Sequence, residues 1–293
     1  MPESKMYSGM KTILITGAGS GFGKLLTEQL SARSAYNIIA SVRSIGDLGH
    51  GVEAHLAGLP NVSLAELDVT SDEQVDSITS RILEQYQSID ILVNNAGVFG
   101  GGLLEAHSIA QVQKLFNTNV YAPLRLMKAV LPAMRKQQEG LIINLSSMLG
   151  FFSIPLNAVY CASKFALEAL VTGSYAELIQ QGVENILVEP GSFPTELYQK
   201  AGIKADLPEV TRAYNGMAEQ MAEYANNAVY QAIQEKKPDP RAVVGKIIQL
   251  IDMEKGTRPL RNPVDQISGE VFARKVADDL SALAQQQMKA YGF

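Results

Sequence analysis

Tyr160 and Lys164 stand four residues apart in the run Val159-Tyr160-Cys161-Ala162-Ser163-Lys164-Phe165-Ala166-Leu167. On a helix that spacing puts a phenol and an ammonium on one face, one turn apart. A cation beside a phenol favours the phenolate, so the tyrosine can exchange a proton nearer neutral pH than its free value of about 10. The pair is therefore a way to build an acid/base. The same spacing also arises by chance, as a surface lysine near a half-buried tyrosine. The rest of the chain decides between the two.

The elements that would position such a pair are legible as periodicity. Short β-rich apolar runs predict strands at 12–16, 37–42, 62–67, 89–93, 141–145 and 185–188, with a final strand at 257–260. Helical patterns occupy 22–32, 72–85, 109–136, 158–180, 242–253 and 269–291. Strands alternating with helices imply right-handed βαβ units and a parallel sheet. Runs such as Ile13-Leu14-Ile15 and Ile91-Leu92-Val93 are apolar throughout, as expected when helices cover both faces. The expected fold is α/β, a doubly wound Rossmann-type parallel sheet of about seven strands flanked by helices. Residues 1–293 read as one domain, since no Pro/Gly/Ser linker divides them. Segment 192–237 shows no strand pattern. It carries Phe193, Tyr198, Tyr214, Met217, Met221 and Tyr224 at roughly helical spacing, so it reads as a helical substrate cap or as surface helices packed on the core.

Composition narrows the classes. The chain is 46% hydrophobic and 19% charged, enough apolar material for one large core. A net charge of −5 without Lys/Arg blocks argues against a nucleic-acid partner. One cysteine, Cys161, allows no intrachain disulfide and fits a reducing compartment. Cys161 itself reads as a small buried residue. Residues 1–11 hold no apolar leader core, and no stretch approaches membrane-spanning length. A cytoplasmic protein without a membrane partner is expected. His50, His55 and His107 lie apart from any Cys cluster; a helical His50/His55 pair supplies too few ligands for a zinc site.

The first strand runs into Thr16-Gly17-Ala18-Gly19-Ser20-Gly21-Phe22-Gly23-Lys24. Strand, glycine turn and helix are the context in which a backbone can approach a pyrophosphate, with helix N–H groups facing the anion. The strict G-x-G-x-x-G does not fit; Gly17-x-x-x-Gly21-x-Gly23 does. Strand two ends Ala40-Ser41-Val42-Arg43-Ser44 with no acid before Asp47. An acid there would hold a ribose 2′-OH, whereas Arg43 accommodates a 2′-phosphate, so NADP(H) is expected over NAD(H). Asp68, in Leu67-Asp68-Val69, is a candidate either for the adenine amino group or for capping the next helix.

Together these pieces resemble the classical short-chain dehydrogenase/reductase family over nearly the whole chain. The motifs are Thr16-Gly17-x-x-x-Gly21-x-Gly23, Asn94-Asn95-Ala96-Gly97, Asn119 in Phe116-Asn117-Thr118-Asn119-Val120, Ser147 in Asn144-Leu145-Ser146-Ser147, Tyr160 with Lys164, and Pro190-Gly191 followed by Thr195. The run from Tyr160 to Glu168 is most similar to the hydroxysteroid and retinol dehydrogenase branch. The extended branch, which includes sugar epimerases, shares Tyr-x-x-x-Lys but differs in glycine spacing. Ser20 stands where many NADP-preferring members carry a basic residue, which leaves Arg43 as the main support for NADP(H), with NAD(H) the alternative.

The resemblance implies a catalytic set of Asn119, Ser147, Tyr160 and Lys164. It implies a dinucleotide held by Gly17, Ser20, Gly21, Phe22, Gly23, Arg43, Asp68, Val69, Asn95, Ala96, Gly97, Tyr160, Lys164, Pro190, Gly191, Phe193 and Thr195. A carbonyl or alcohol substrate with apolar parts would meet Ser147, Leu149, Phe151, Phe152, Tyr160, Phe193 and Tyr198. Phe151, Phe152 and Phe193 follow strand ends, where they would line a pocket or pack the cap. Asn119 is expected to support a bent helix and a proton-carrying water near Lys164. A homodimer or homotetramer paired through helices 109–136 and 158–180 is implied as well. The rival is a catalytically silent dinucleotide-sensing protein of the same fold; it would be expected to lack part of the Ser/Tyr/Lys set, all of which is present.

Overall fold

The computed structural model describes residues 9–196 and 202–291. Seven strands form one parallel sheet: β1 (Lys11–Thr16), β2 (Tyr36–Val42), β3 (Val62–Glu66), β4 (Ile91–Asn94), β6 (Gly140–Leu145), β7 (Val183–Pro190) and β9 (Arg261–Val264). Their order is β3-β2-β1-β4-β6-β7-β9, and every pairing is parallel. The winding reverses between β1 and β4, so the carboxyl ends of these strands open onto one crevice.

Alternation along each strand divides the core in two. Ile13 and Ile15 pack with Leu26 and Leu30 of α1 (Gly21–Ser31) and Val243, Val244 and Ile247 of α9 (Arg241–Asp252). Leu14, Leu92 and Ile142 point the other way, onto Val75, Ile78 and Ile82 of α3 (Asp72–Tyr86) and Leu126, Val130 and Met134 of α5 (Ala122–Gln137). The long α6 (Ala158–Ile179) reaches the same layer through Leu178. The last helix, α10 (Glu270–Ala290), buries only Ala273 and Ala277.

Four expectations need correction. The final strand is Arg261–Val264, not 257–260: Arg258 is drawn aside into an ion pair with Glu184, and pairing with β7 begins at Arg261. The predicted 109–136 helix is broken by a π-helical turn at Asn117–Tyr121, between α4 (Ile109–Phe116) and α5. Pro123 has no N–H for the Asn119 carbonyl four residues back, and the Ala122 N–H reaches five residues back to Asn117. Segment 192–237 does contain a strand, β8 (Gly202–Lys204), paired with β5 (Phe99–Gly101) in a two-stranded ladder. Finally, Ser71 caps α3 by accepting the Gln74 N–H, whereas Asp68 turns onto Thr70, accepting both its N–H and its hydroxyl.

The histidine pair falls on α2 (His50–Ala57), where His55 Nε2 lies 2.8 Å from Glu28 Oε1. After β8 come α7 (Pro208–Ala213) and α8 (Met217–Lys236). In α8 only Ala218 is buried, and Tyr224 and Tyr230 are exposed. β8, rather than the aromatic residues of α8, is therefore what the 202–236 region brings toward the crevice. Tyr198 lies outside the described residues.

Candidate active site

The glycine turn between β1 and α1 is held from below by the segment after β4. Asn95 Nδ2 donates to the carbonyls of Thr16 (2.7 Å) and Gly17 (3.1 Å), and the Asn95 and Ala96 N–H groups both donate to Thr16 Oγ1 at 3.0 Å. Gly17 takes φ +66° and Gly21 φ +51°, a region that L side chains rarely adopt. At Gly23 a Cβ would sit 2.5 Å from both the Gly17 carbonyl oxygen and Asn95 Nδ2, so no side chain fits there.

The N-terminus of α1 faces the crevice. Ser20 is its N-cap but makes no side-chain cap bond, and no acid lies in its first turn. The Gly21 N–H instead donates to Glu196 Oε2 at 3.1 Å. A carboxylate arriving from 175 residues away shows that this end of the helix accepts an anion. Thr195 and Glu196 descend from the end of β7 past Pro190 and Gly191, and Thr195 packs against Gly21. Phe193 lies in the core, its ring edge-on to Phe22 with centroids 5.8 Å apart. It braces the turn and is not exposed at the crevice. Arg43 is exposed beyond β2, and Val69 is buried beneath the adjoining loop.

On the other side of the switch point, β6 delivers Ser147 and α6 delivers Tyr160 and Lys164. Ser147 Oγ accepts the Leu149 N–H at 3.1 Å, closing a short turn over 148–150. Tyr160 is 5% exposed and packs on Phe99, with ring centroids 5.0 Å apart. Leu149, Val98 and Ile203 of β8 complete an apolar wall around it. Phe152, by contrast, is 41% exposed, and Phe151 lies beneath the Arg261 guanidinium at 5.2 Å.

Lys164 is buried, with Nζ 5.8 Å from the Tyr160 ring centroid and donating to the Leu145 carbonyl at 2.9 Å. Burial in this dry setting pulls its pKa from the usual 10.5 to about 8, against the opposing pull of the Glu168 carboxylate. Asn119, in the π-turn, exchanges two 2.9 Å hydrogen bonds with the Val98 backbone and donates to Ser163 Oγ at 3.1 Å. Ser163 Oγ in turn donates to the Tyr160 carbonyl at 2.7 Å. The bent helix thus fixes both the loop after β4 and the first turn of α6.

Ser147, Tyr160, Lys164 and Asn119 converge at one end of the sheet, and the glycine turn, Asn95 and Thr195 at the other side of the same crevice. Several contacts there had no sequence signal. Glu196 follows the end of β7 in a loop, and Ile203 sits in a strand of only three residues. The buried amide chain Asn94–Asn144–Asn185–Ser174, with links of 2.9, 2.7 and 3.0 Å, looks in sequence like isolated polar residues in apolar strands.

A doubly wound parallel sheet with this crevice is the architecture of a nucleotide-binding α/β protein. A family model described as short chain dehydrogenase matches residues 11–206. Bovine (Bos taurus) retinol dehydrogenase 8 is 39% identical over 198 residues, 67% of this chain and 63% of that protein. This chain thus spans under two-thirds of that relative's length. The uncharacterized oxidoreductase YusZ of Bacillus subtilis is 34% identical over 259 residues, 87% of this chain and 89% of that protein. Among solved structures, a short-chain dehydrogenase from Streptomyces avermitilis superposes with TM-score 0.73 at 28% identity, covering 96% of this chain and 97% of that one. ElxO with NADP bound gives 0.72 at 26% identity, covering 88% and 98%. The chain belongs to the short-chain dehydrogenase family.

Proposed function

We propose that this protein is an NAD(P)(H)-dependent oxidoreductase that interconverts a ketone or aldehyde with the corresponding alcohol, with NADP(H) preferred and NAD(H) the alternative. The observation that carries the reading is that buried Lys164 bonds the Leu145 carbonyl at the end of β6, the Ser147 turn packs Leu149 against Tyr160, and the glycine turn at the same end of the sheet accepts an anion. The turn fits a dinucleotide. Gly17 and Gly23 let the turn fold tightly against α1 and the Asn95 segment, and the α1 N-terminus already takes a carboxylate from Glu196. Gly17, Ser20, Gly21, Phe22 and Gly23 would hold the pyrophosphate. Arg43 would take the 2′-phosphate, with Asp68, Val69 and the Asn95–Gly97 segment around the adenosine. Pro190, Gly191 and Thr195 would lie along the nicotinamide side. ElxO, solved with NADP and with NADPH, and a short-chain dehydrogenase/reductase from Burkholderia phymatum solved with NAD support both cofactors.

The bound nicotinamide supplies or accepts the hydride. Tyr160 gives its hydroxyl proton to the carbonyl oxygen in reduction and takes the alcohol proton in oxidation. Ser147 holds the same oxygen, since a hydroxyl can donate or accept. Lys164 stabilises the phenolate form and would hold the ribose hydroxyls of the cofactor. Asn119 acts by holding the helix and loop that frame Lys164. The wall of Val98, Phe99, Leu149 and Ile203 favours a substrate with an apolar body, such as a steroid, retinoid or similar carbonyl compound. One cytoplasmic domain, paired as a homodimer or homotetramer through the segments 109–136 and 158–180, completes the reading.

The test is Tyr160→Phe, assayed with NADPH and NADH over a panel of apolar ketones and aldehydes. Dinucleotide binding by fluorescence should persist, tighter for NADPH, while turnover falls by about 10²–10⁴-fold. Turnover near that of the unaltered protein would end the mechanism, and tighter NADH binding would end the role given to Arg43.

A further inference from the structure

Behind Lys164 lies a buried set of charges that the reaction above does not use. Glu168, one turn further along α6, is buried and ion-paired with Arg261 of β9. The Arg261 Nη1 also stands 3.7 Å from Glu189 Oε1, and Glu189 Oε2 accepts the Asn262 N–H at 2.7 Å. Glu168 also lies under the turn that carries Ser147. A Cβ on Gly150 would sit 2.8 Å from Glu168 Cγ, and the Gly150 N–H closes the turn by donating to the Ser147 carbonyl at 2.9 Å. Gly150 is therefore the gap through which Glu168 fits beneath the serine. We propose that Glu168 is a positioning residue of the active site: its ionised carboxylate, secured by Arg261, keeps Lys164 in the ammonium form and props the Ser147 turn. The inference rests on the mechanism proposed above.

Two carboxylates around one guanidinium in a dry interior do not both ionise readily. Glu189 is fully buried and also repelled by Glu168, and both push its pKa well above the ordinary carboxylate value. Burial also raises the pKa of Glu168, and its direct pairing with Arg261 opposes that rise. The groups facing Lys164 are few. Its own helix offers Tyr160 and Glu168, β6 the Leu145 carbonyl, the segment after β4 Gly97, and the π-turn the Asn119 amide. Among these described residues only Tyr160 and Glu168 can titrate, and a Glu168 carboxylate, one helical turn away, opposes the burial that lowers the Lys164 pKa.

The experiment is Glu168→Gln, which keeps shape and removes charge. Glu189 still lies 3.7 Å from Arg261, and losing the Glu168 charge removes one of the two influences that raise its pKa. The alkaline limb of kcat/KM should move down by about one pH unit, giving about ten-fold lower kcat/KM at pH 8.5 and near-equal values at pH 6. A merely structural residue would lower both alike. Arg261→Gln reaches the same end from β9, by letting Glu168 protonate, and serves if Glu168→Gln does not fold. The Lys164 proton is also read without turnover, by NMR titration of 13Cε-labelled lysine with Lys164→Met assigning the signal. A lowered titration point in either variant supports the proposal even if no carbonyl compound is turned over, an outcome that would count against the mechanism alone. An unchanged titration point in the folded variants overturns it.

Discussion

Lys164→Met should make the protein more stable while removing its chemistry. The ammonium is buried and its pKa lies at about 8 instead of 10.5, so the folded state holds that charge at a penalty. The gap between the two values corresponds to about 3 kcal/mol at neutral pH. Methionine fills similar volume without charge. Against this, the Nζ bond to the Leu145 carbonyl disappears, and a buried acceptor left unpaired costs about 1–2 kcal/mol. The net expectation is a gain of about 1–2 kcal/mol at pH 7, or a melting temperature higher by about 2–5 °C. The sign of the pH dependence follows from the proton count. Between pH 8 and 10.5 the unfolded chain binds more protons at Lys164 than the folded one, so the unaltered protein gains stability as pH rises through that window. The advantage of the variant should therefore be full below pH 8 and gone by about pH 9.5. Urea unfolding of both proteins at half-unit steps from pH 6.5 to 9.5 measures it. A variant that is less stable at pH 7, with a difference that does not change with pH, would refute a buried, penalised ammonium.

Two further outcomes concern the anion site. Glu196→Gln removes the carboxylate that occupies the α1 N-terminus, so NADPH should bind about two- to five-fold tighter, with the gain shrinking in salt; equal or weaker binding in a low-salt fluorescence titration would show that Glu196 does not compete there. Gly23→Ala forces a Cβ to within 2.5 Å of the Gly17 carbonyl, so thermal melting should register a loss of about 1–3 kcal/mol together with weakened dinucleotide binding. Unaltered binding would show that the turn relaxes without harm.

The strands with unbroken apolar runs, such as Ile13-Leu14-Ile15, were readable because burial on both faces leaves a signal within a few residues. The glycine turn was readable because Gly17 and Gly23 answer a local steric demand. β9 was misplaced because it is an edge strand, Arg-Asn-Pro-Val, with a proline and two polar residues where the rule expects aliphatic ones. β5 and β8 are three residues each, too short for any period to register. The π-turn leaves hydrophobic spacing almost unchanged, and its trace is only the proline at 123. Within the site, Tyr160 and Lys164 announce themselves by spacing. The Glu168–Arg261 pair spans 93 residues, and nothing local connects a glutamate in an apolar helix to an arginine near the end of the chain.

The β5–β8 ladder divides the crevice into halves of unequal permanence. Two three-residue strands are marginal by themselves, whereas the glycine turn and Ser147 rise from a seven-stranded sheet packed on both faces. Native-state hydrogen exchange should find the amides of 99–101 and 202–204 opening long before those of β1, β4 and β6. The wall beside Tyr160 should therefore yield first, while the sheet that carries the glycine turn and Ser147 stays folded.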